Sequence, residues 1–166
     1  MFIIKKNIRL LIVLFNILAF SLNLNLVHAA SGTGSGVNSE ASLYKSGKKL
    51  VLRAKKMEKK DKVEKAQKLY LKALDKLEKA YGKDKKNADL LNYYGYALRK
   101  TGDFEKAEIY YLEGLELDAG HFGINEYLGE LYVQTGRINL AKERLSILKD
   151  CNCEEYEELK EIIEKN

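Results

Sequence analysis

Neither proline nor tryptophan occurs anywhere in this 166-residue chain. Their absence, with 32% of residues charged, argues against a turn-rich β architecture and for helix. Histidine is nearly absent too. Of the two present, His28 lies in the N-terminal apolar region and His121 alone lies beyond it. There is no Gly-rich phosphate loop, no nucleophile with a base beside it in sequence, and no spacing of Cys, His and acids that suits a metal. The expectation is a chain without catalytic residues, cofactor or metal. His121 reads as a helix-start or packing residue. The glutamates of the C-terminal stretch, Glu154, Glu155, Glu157, Glu158 and Glu161, read as a solvated helix face.

A mean hydropathy of −0.36 suits a soluble protein, so the one long apolar run needs its own account. Met1–Arg9 carries Lys5, Lys6 and Arg9 and no acid, and Leu10–Leu26 is almost wholly apolar. Val27-His28-Ala29-Ala30 follows, with small residues suited to cleavage after Ala29. That order is the pattern of a secretory signal peptide, expected over residues 1–29. An uncleaved anchor is the rival reading, the run being near the ~17-residue lower limit for a spanning helix. Asn23 and Asn25 and the Ala-Ala site favour cleavage, which leaves membrane contact only to the leader before it is cut. No Cys sits near the cut, which argues against a lipid-anchored form.

Residues 30–41 begin with Ala-Ser-Gly-Thr-Gly-Ser-Gly and read as a flexible linker. Beyond it, charge is sorted along the chain. Lys45 to Lys86 holds 17 Lys and Arg against 6 Asp and Glu, whereas Asp89 to Asn166 holds 9 against 17. A basic half precedes an acidic half.

From about Ser42, apolar residues recur at three- and four-residue spacing with polar breaks every 15 to 20 residues. The spacing predicts helices near 43–59, 62–81, 88–100, 104–117, 122–134, 138–149 and 154–165. Gly102, Gly120 and Gly136 fall just past helix ends, where a left-handed residue closes the last turn. Asp103 is placed to cap the helix after it.

A repeat runs through this pattern. Gly95, Gly102 and Ala107 each have an identical residue 34 positions on, at Gly129, Gly136 and Ala141. Tyr94 corresponds to Leu128, Leu98 to Tyr132, Phe104 to Ile138 and Tyr111 to Leu145. A mid-helix Gly costs about 1 kcal/mol relative to Ala, so Gly95 and Gly129 call for a close neighbour. Ala107 and Ala141, opposite them across the turn, are the expected partners.

Residues 88–121, with Leu91, Tyr94-Gly95, Leu98, Gly102-Asp103-Phe104, Ala107 and Tyr111, resemble the tetratricopeptide repeat. They depart from it at Ala119, where the family usually has Pro, and at Leu91, where it often has Trp. Residues 122–155 form a second copy. A degenerate third, about 47–80, is carried by Leu50, Ala54, Met57, Val63, Ala66, Tyr70 and Ala73. Seven extra residues, 81–87, separate it from the next copy. They equal nearly two helical turns and rotate the face by only about 20°. Residues 154–166 offer Tyr156, Leu159, Ile162 and Ile163 on one face and suit a terminal cap. The resemblance implies an all-α solenoid of about three antiparallel helix hairpins with a C-terminal capping helix, spanning 42–166. A signal peptide ahead of such repeats is similar to many exported bacterial proteins, which points to the bacterial periplasm and names no shared activity.

What the resemblance implies for function is binding. In this family the first helix of each repeat lines a concave groove. The inward positions are then Asp89, Asn92, Tyr93, Tyr96, Arg99 and Lys100, followed by Glu126, Tyr127, Glu130, Val133 and Gln134. Aromatic, amide and charged groups together suit an extended peptide or a helix of a partner protein. The competing reading makes Tyr93 and Tyr127 packing residues. The family's Lys and Asn set that clamps a C-terminal carboxylate is not reproduced. An alternative function is an electrostatic adaptor, in which the Lys-rich 45–86 segment sits on anionic lipid or cell-envelope polymer. Nucleic acid is not an expected partner of an exported protein, and oligomeric state stays open. Cys151 and Cys153 admit three readings: a local disulfide, two free thiols packed as small apolar groups, or redox and intermolecular chemistry.

Overall fold

The computed structural model describes residues 39–166, so the expected signal peptide and most of the expected linker lie outside the described residues. Among the described residues seven helices follow one another: α1 Glu40–Glu58, α2 Val63–Tyr81, α3 Ala88–Thr101, α4 Phe104–Leu117, α5 Phe122–Gln134, α6 Ile138–Leu148 and α7 Glu154–Glu164. Helix and turn account for the described residues, and no strand occurs among them. None of these helices is long and apolar enough to cross a membrane.

Local chemistry sets the ends. Helix α1 starts at Glu40, inside the stretch expected as linker, because the Ser39 hydroxyl accepts from the Ser42 amide at 3.2 Å and caps the first turn. Asn87 caps α3 through the Leu90 amide at 2.9 Å, and Asp103 caps α4 through the Lys106 amide at 3.3 Å. Gly102 (φ 91°) and Gly136 (φ 74°) take the left-handed conformation expected of them. Gly120 does not. Helix α4 ends instead at Asp118 in extended conformation, whose carboxylate accepts from the Gly120 amide at 3.1 Å. Two positions not foreseen, Asp61 (φ 56°) and Asn152 (φ 50°), adopt the left-handed turn geometry that Asp and Asn tolerate.

Packing arranges these helices in two layers. The hairpins α1–α2, α3–α4 and α5–α6 stack in order, α2 against α3 and α4 against α5. Helices α1, α3, α5 and α7 also touch in succession and form an inner layer, with α7 in the place a fourth repeat's first helix would take. This is the all-α repeat solenoid with a terminal helix that the resemblance implied. Its core is a continuous column through Val51, Ala54, Tyr70, Leu77, Leu90, Tyr111, Ile124, Leu128 and Leu131, all fully buried. At about 1.5–3 kcal/mol for each large apolar side chain, that column supplies the main drive to fold.

Of the seven extra residues, Tyr81 ends α2 and 82–87 form the turn into α3, while the helices of the first hairpin are themselves longer than those of the next. Helices α1 and α2 each run 19 residues, and the end of α2 buries Leu77 and Ala80. Leu77 fits only because Gly47 faces it; a Cβ there would stand 2.6 Å from Leu77 Cγ. The repeat glycines do find close neighbours, and the nearest atoms belong to larger side chains than the alanines expected. A Cβ on Gly95 would meet the Tyr111 ring at 2.6 Å, and one on Gly129 would meet Leu159 of α7 at 2.5 Å.

Candidate functional site

The inner face of α1, α3 and α5 carries tyrosines and cations at matching repeat positions. Lys55, Tyr96 and Glu130 each directly follow the small residue of their repeat, Ala54, Gly95 and Gly129. Helical stacking brings them together. Lys55 donates to the Tyr127 hydroxyl at 2.9 Å, and its ammonium lies 5.2 Å from the Tyr96 ring centre and 5.1 Å from that of Tyr127. The two rings pack at 4.6 Å between centroids. A side chain from α1 thus reaches one on α5 across α3, which is what an inwardly curved face permits.

Toward the start of the helices, Lys48 stands 4.9 Å from the Tyr93 ring and 5.8 Å from that of Tyr44, and the two rings lie 6.3 Å apart. Ammonium over an aromatic face is attracted by the ring's negative quadrupole. All three residues are half-buried and so present ring surface to solvent. At the opposite end, Lys100 pairs with Glu58 at 2.8 Å, and Glu58 also accepts from the Tyr70 hydroxyl at 2.9 Å.

The expected groove residues divide by depth. Asp89 and Gln134 are exposed; Tyr93, Lys100, Tyr127 and Glu130 are half-buried. Asn92, Tyr96, Arg99, Glu126 and Val133 are buried between inner-layer helices. Arg99 donates to Glu130 at 2.7 Å and to Gln134 at 3.1 Å, with its guanidinium 5.2 Å from the Tyr96 ring. Burial pushes the Tyr96 phenol up to about 12, against the lowering effect of Lys55 and Arg99. Glu126 is only 2% exposed. Burial first, then the Glu158 carboxyl and the charge of Glu130, raise its carboxyl to about 10, and its Oε1 has no hydrogen-bond partner. It is therefore a neutral acid at pH 7. These buried groups hold α3, α5 and α7 in register, and the half-buried tyrosines and lysines form the accessible surface.

Lys48, Lys55 and Tyr44 were missed in the sequence because the first repeat is degenerate. The signal was present: Lys48 lies six residues before Ala54, as Asp89 does before Gly95. His121 caps α5, its Nδ1 accepting from the Ile124 amide at 3.2 Å while Nε2 lies 3.4 Å from Asp89. Cys151 and Cys153 are disulfide-bonded, with Cα atoms 5.2 Å apart, at the turn between α6 and α7. Among the described residues no group of His, Cys, Asp and Glu is arranged to hold a metal ion.

Comparison with known proteins gives a family and a fold. The family model described as tetratricopeptide repeat matches residues 57–119, from the end of α1 through α4. A tetratricopeptide repeat protein from Parabacteroides merdae is similar in structure, with a TM-score of 0.52 and 17% identity over 73% of this chain. This chain spans 60% of that protein's length. The second such domain of human RPAP3, solved in complex with an HSP70 peptide, gives a TM-score of 0.50 at 22% identity, covering 75% of this chain and 98% of that one. No curated protein sequence matches the chain.

Proposed function

Given that this chain is a tetratricopeptide-repeat protein, we propose that it binds an internal peptide segment or helix of a partner protein along the inner face of α1, α3 and α5. The observation that carries this reading is the row of half-buried tyrosines, each beside a lysine: Tyr44 and Tyr93 around Lys48, and Tyr127 on Lys55. Tyrosine gives large, rigid contact area at little entropic cost, with a polar tip for hydrogen bonding. Ammonium groups above those rings favour a segment that alternates apolar and acidic side chains. The RPAP3 domain, similar in fold, is itself in complex with a peptide. A chain terminus is a poorer ligand here, since the residues that clamp a terminal carboxylate in this family are not reproduced. With an N-terminal leader of the kind described, the partner is a protein of the bacterial periplasm.

Crosslinking in the native compartment, followed by identification of what is captured, supplies the partner. Lys48→Ala and Tyr93→Ala then each weaken its binding about tenfold, near 1.4 kcal/mol, while thermal melting stays within a few degrees of wild type. Wild-type affinity in the Lys48→Ala/Tyr93→Ala double variant sinks the proposal.

A further inference from the structure

A second surface, apart from the groove, lies at the solenoid's two ends. Among the described residues, the backbone of α1 packs against α2 and α3 and that of α7 against α5 and α6, and one face of each is left uncovered by them. On α1 the buried row is Leu43, Gly47, Val51 and Ala54. Half a turn around stand Lys45, Lys49, Arg53 and Lys56, all exposed, with Leu52 (49% exposed) among them. They line a shallow depression of about 440 Å³. On α7 the buried residue is Leu159, and half a turn around stand Glu154, Glu157, Glu161 and Glu164, all exposed.

We propose that the cationic row of α1 docks the acidic row of α7 from a second copy of this chain, so that molecules stack head to tail. The rows match in length. Lys45 to Lys56 and Glu154 to Glu164 each span about 15–17 Å at 1.5 Å per residue, with charges at three- and four-residue steps. They match in sign, and among the described residues none of the four cations is held in an ion pair. On α7 only Glu161 is paired, with Lys165 of its own helix. They also match in position. Inner-layer helices already pack side by side in the order α1, α3, α5, α7, and a second copy's α1 beside α7 continues that series. An anionic surface would engage α1 and leave the acidic row without a counterpart. Because the two faces differ, the contact is heterologous and adds copies one after another unless its rotation closes a ring. Exposed ion pairs are individually weak and screened by salt, so the association is reversible and dependent on ionic strength.

Sedimentation of the purified protein over a dilution series tests this. At low salt the mean mass rises with concentration above that of one chain, and high salt returns it to one chain. Lys49→Glu/Arg53→Glu and Glu157→Lys/Glu161→Lys are each monomeric alone. Mixed, they associate and the mean mass grows past that of two chains, because the unaltered ends pair and the two reversed ends are complementary as well. All four substitutions in one chain restore concentration-dependent growth. If Lys49→Glu/Arg53→Glu loses helical circular dichroism, Lys49→Gln/Arg53→Gln replaces it, monomeric alone and giving twice the single-chain mass and no more when mixed with Glu157→Lys/Glu161→Lys. The proposal is overturned by a wild type that stays monomeric at low salt, by a mixture that stays monomeric, or by either variant associating alone. Binding to phosphatidylglycerol vesicles without self-association likewise overturns it and assigns the α1 row to lipid.

Discussion

Leu159 of α7 lies over Gly129 of α5 so closely that a Cβ on the glycine would stand 2.5 Å from Leu159 Cδ2 and 3.2 Å from its Cγ. The capping helix is thus seated in a notch that only glycine leaves open. Gly129→Ala gains about 1 kcal/mol of helix propensity and loses more to overlap, for which about 1–3 kcal/mol is usual. Leu159 is fully buried and has no solvent to retreat into. The expected net effect is destabilisation of about 1–2 kcal/mol. In a Leu159→Ala background the overlap vanishes and the same substitution stabilises. Denaturant titration of the two single variants and the double variant reads this reversal of sign.

The Cys151–Cys153 bond joins the end of the α6 turn to the residue that begins α7. A loop this short constrains the unfolded chain little, about 1.6 kcal/mol by chain entropy alone. Alkylation without reductant should add no mass to the protein. Reduction should lower Tm by roughly 5 °C and speed amide exchange at the start of α7, leaving α1 to α4 unchanged.

The helices were legible because apolar spacing is a local property, and the repeat because small residues recur at fixed distance. Depth was not legible. Asn92, Arg99 and Glu126 look like groove residues by position and polarity, yet inner-layer helices pack closely enough to bury all three. A polar residue type states what hydrogen bonds it needs and is silent on whether a neighbouring helix covers it. The partner of Gly129 was hidden for a related reason. The 34-residue register pointed to Ala141, whereas the contact is made by a helix beyond the last repeat. The start of α1 depended on a single cap, Ser39, that follows a glycine- and serine-rich stretch and is masked by it.

Arg99 is buried with its charge, which is met by Glu130 and Gln134 on α5 and by the Tyr96 ring. Truncating one member of such a pair strands the other. Arg99→Ala should therefore cost about 3 kcal/mol or more, seen as a lowered Tm. Arg99→Met combined with Glu130→Met removes both charges while filling the space, and should be more stable than either single change. Loss of partner binding in Arg99→Ala then reflects a loosened platform, in contrast to Lys48→Ala, where binding falls and Tm does not.

Glu126 makes stability depend on pH in a direction opposite to that of a salt-bridged acid. Its folded carboxyl, raised to about 10 chiefly by burial, is compared with an unfolded one at 4.5. The neutral form is what the packed site favours. Its contribution is fully present below pH 4.5, and is lost progressively as pH climbs from there toward 10, at about 1.4 kcal/mol for each unit. Glu126→Gln keeps the shape and a neutral amide while removing the titration. The variant should match wild type near pH 4.5 and exceed it in stability at pH 7, with the gap still widening at pH 9. The groups around the site set how far up the pH scale this loss runs. Glu158 and Glu130 add to the penalty, and Lys55 lessens it. Lys55→Met should accordingly carry the wild-type decline to higher pH at the same slope and leave the curve of Glu126→Gln nearly flat. Urea unfolding at four pH values for these variants decides the matter. Parallel pH curves for wild type and Glu126→Gln would show that Glu126 is ionised in the folded protein, with a water or cation supplying the partner its Oε1 lacks.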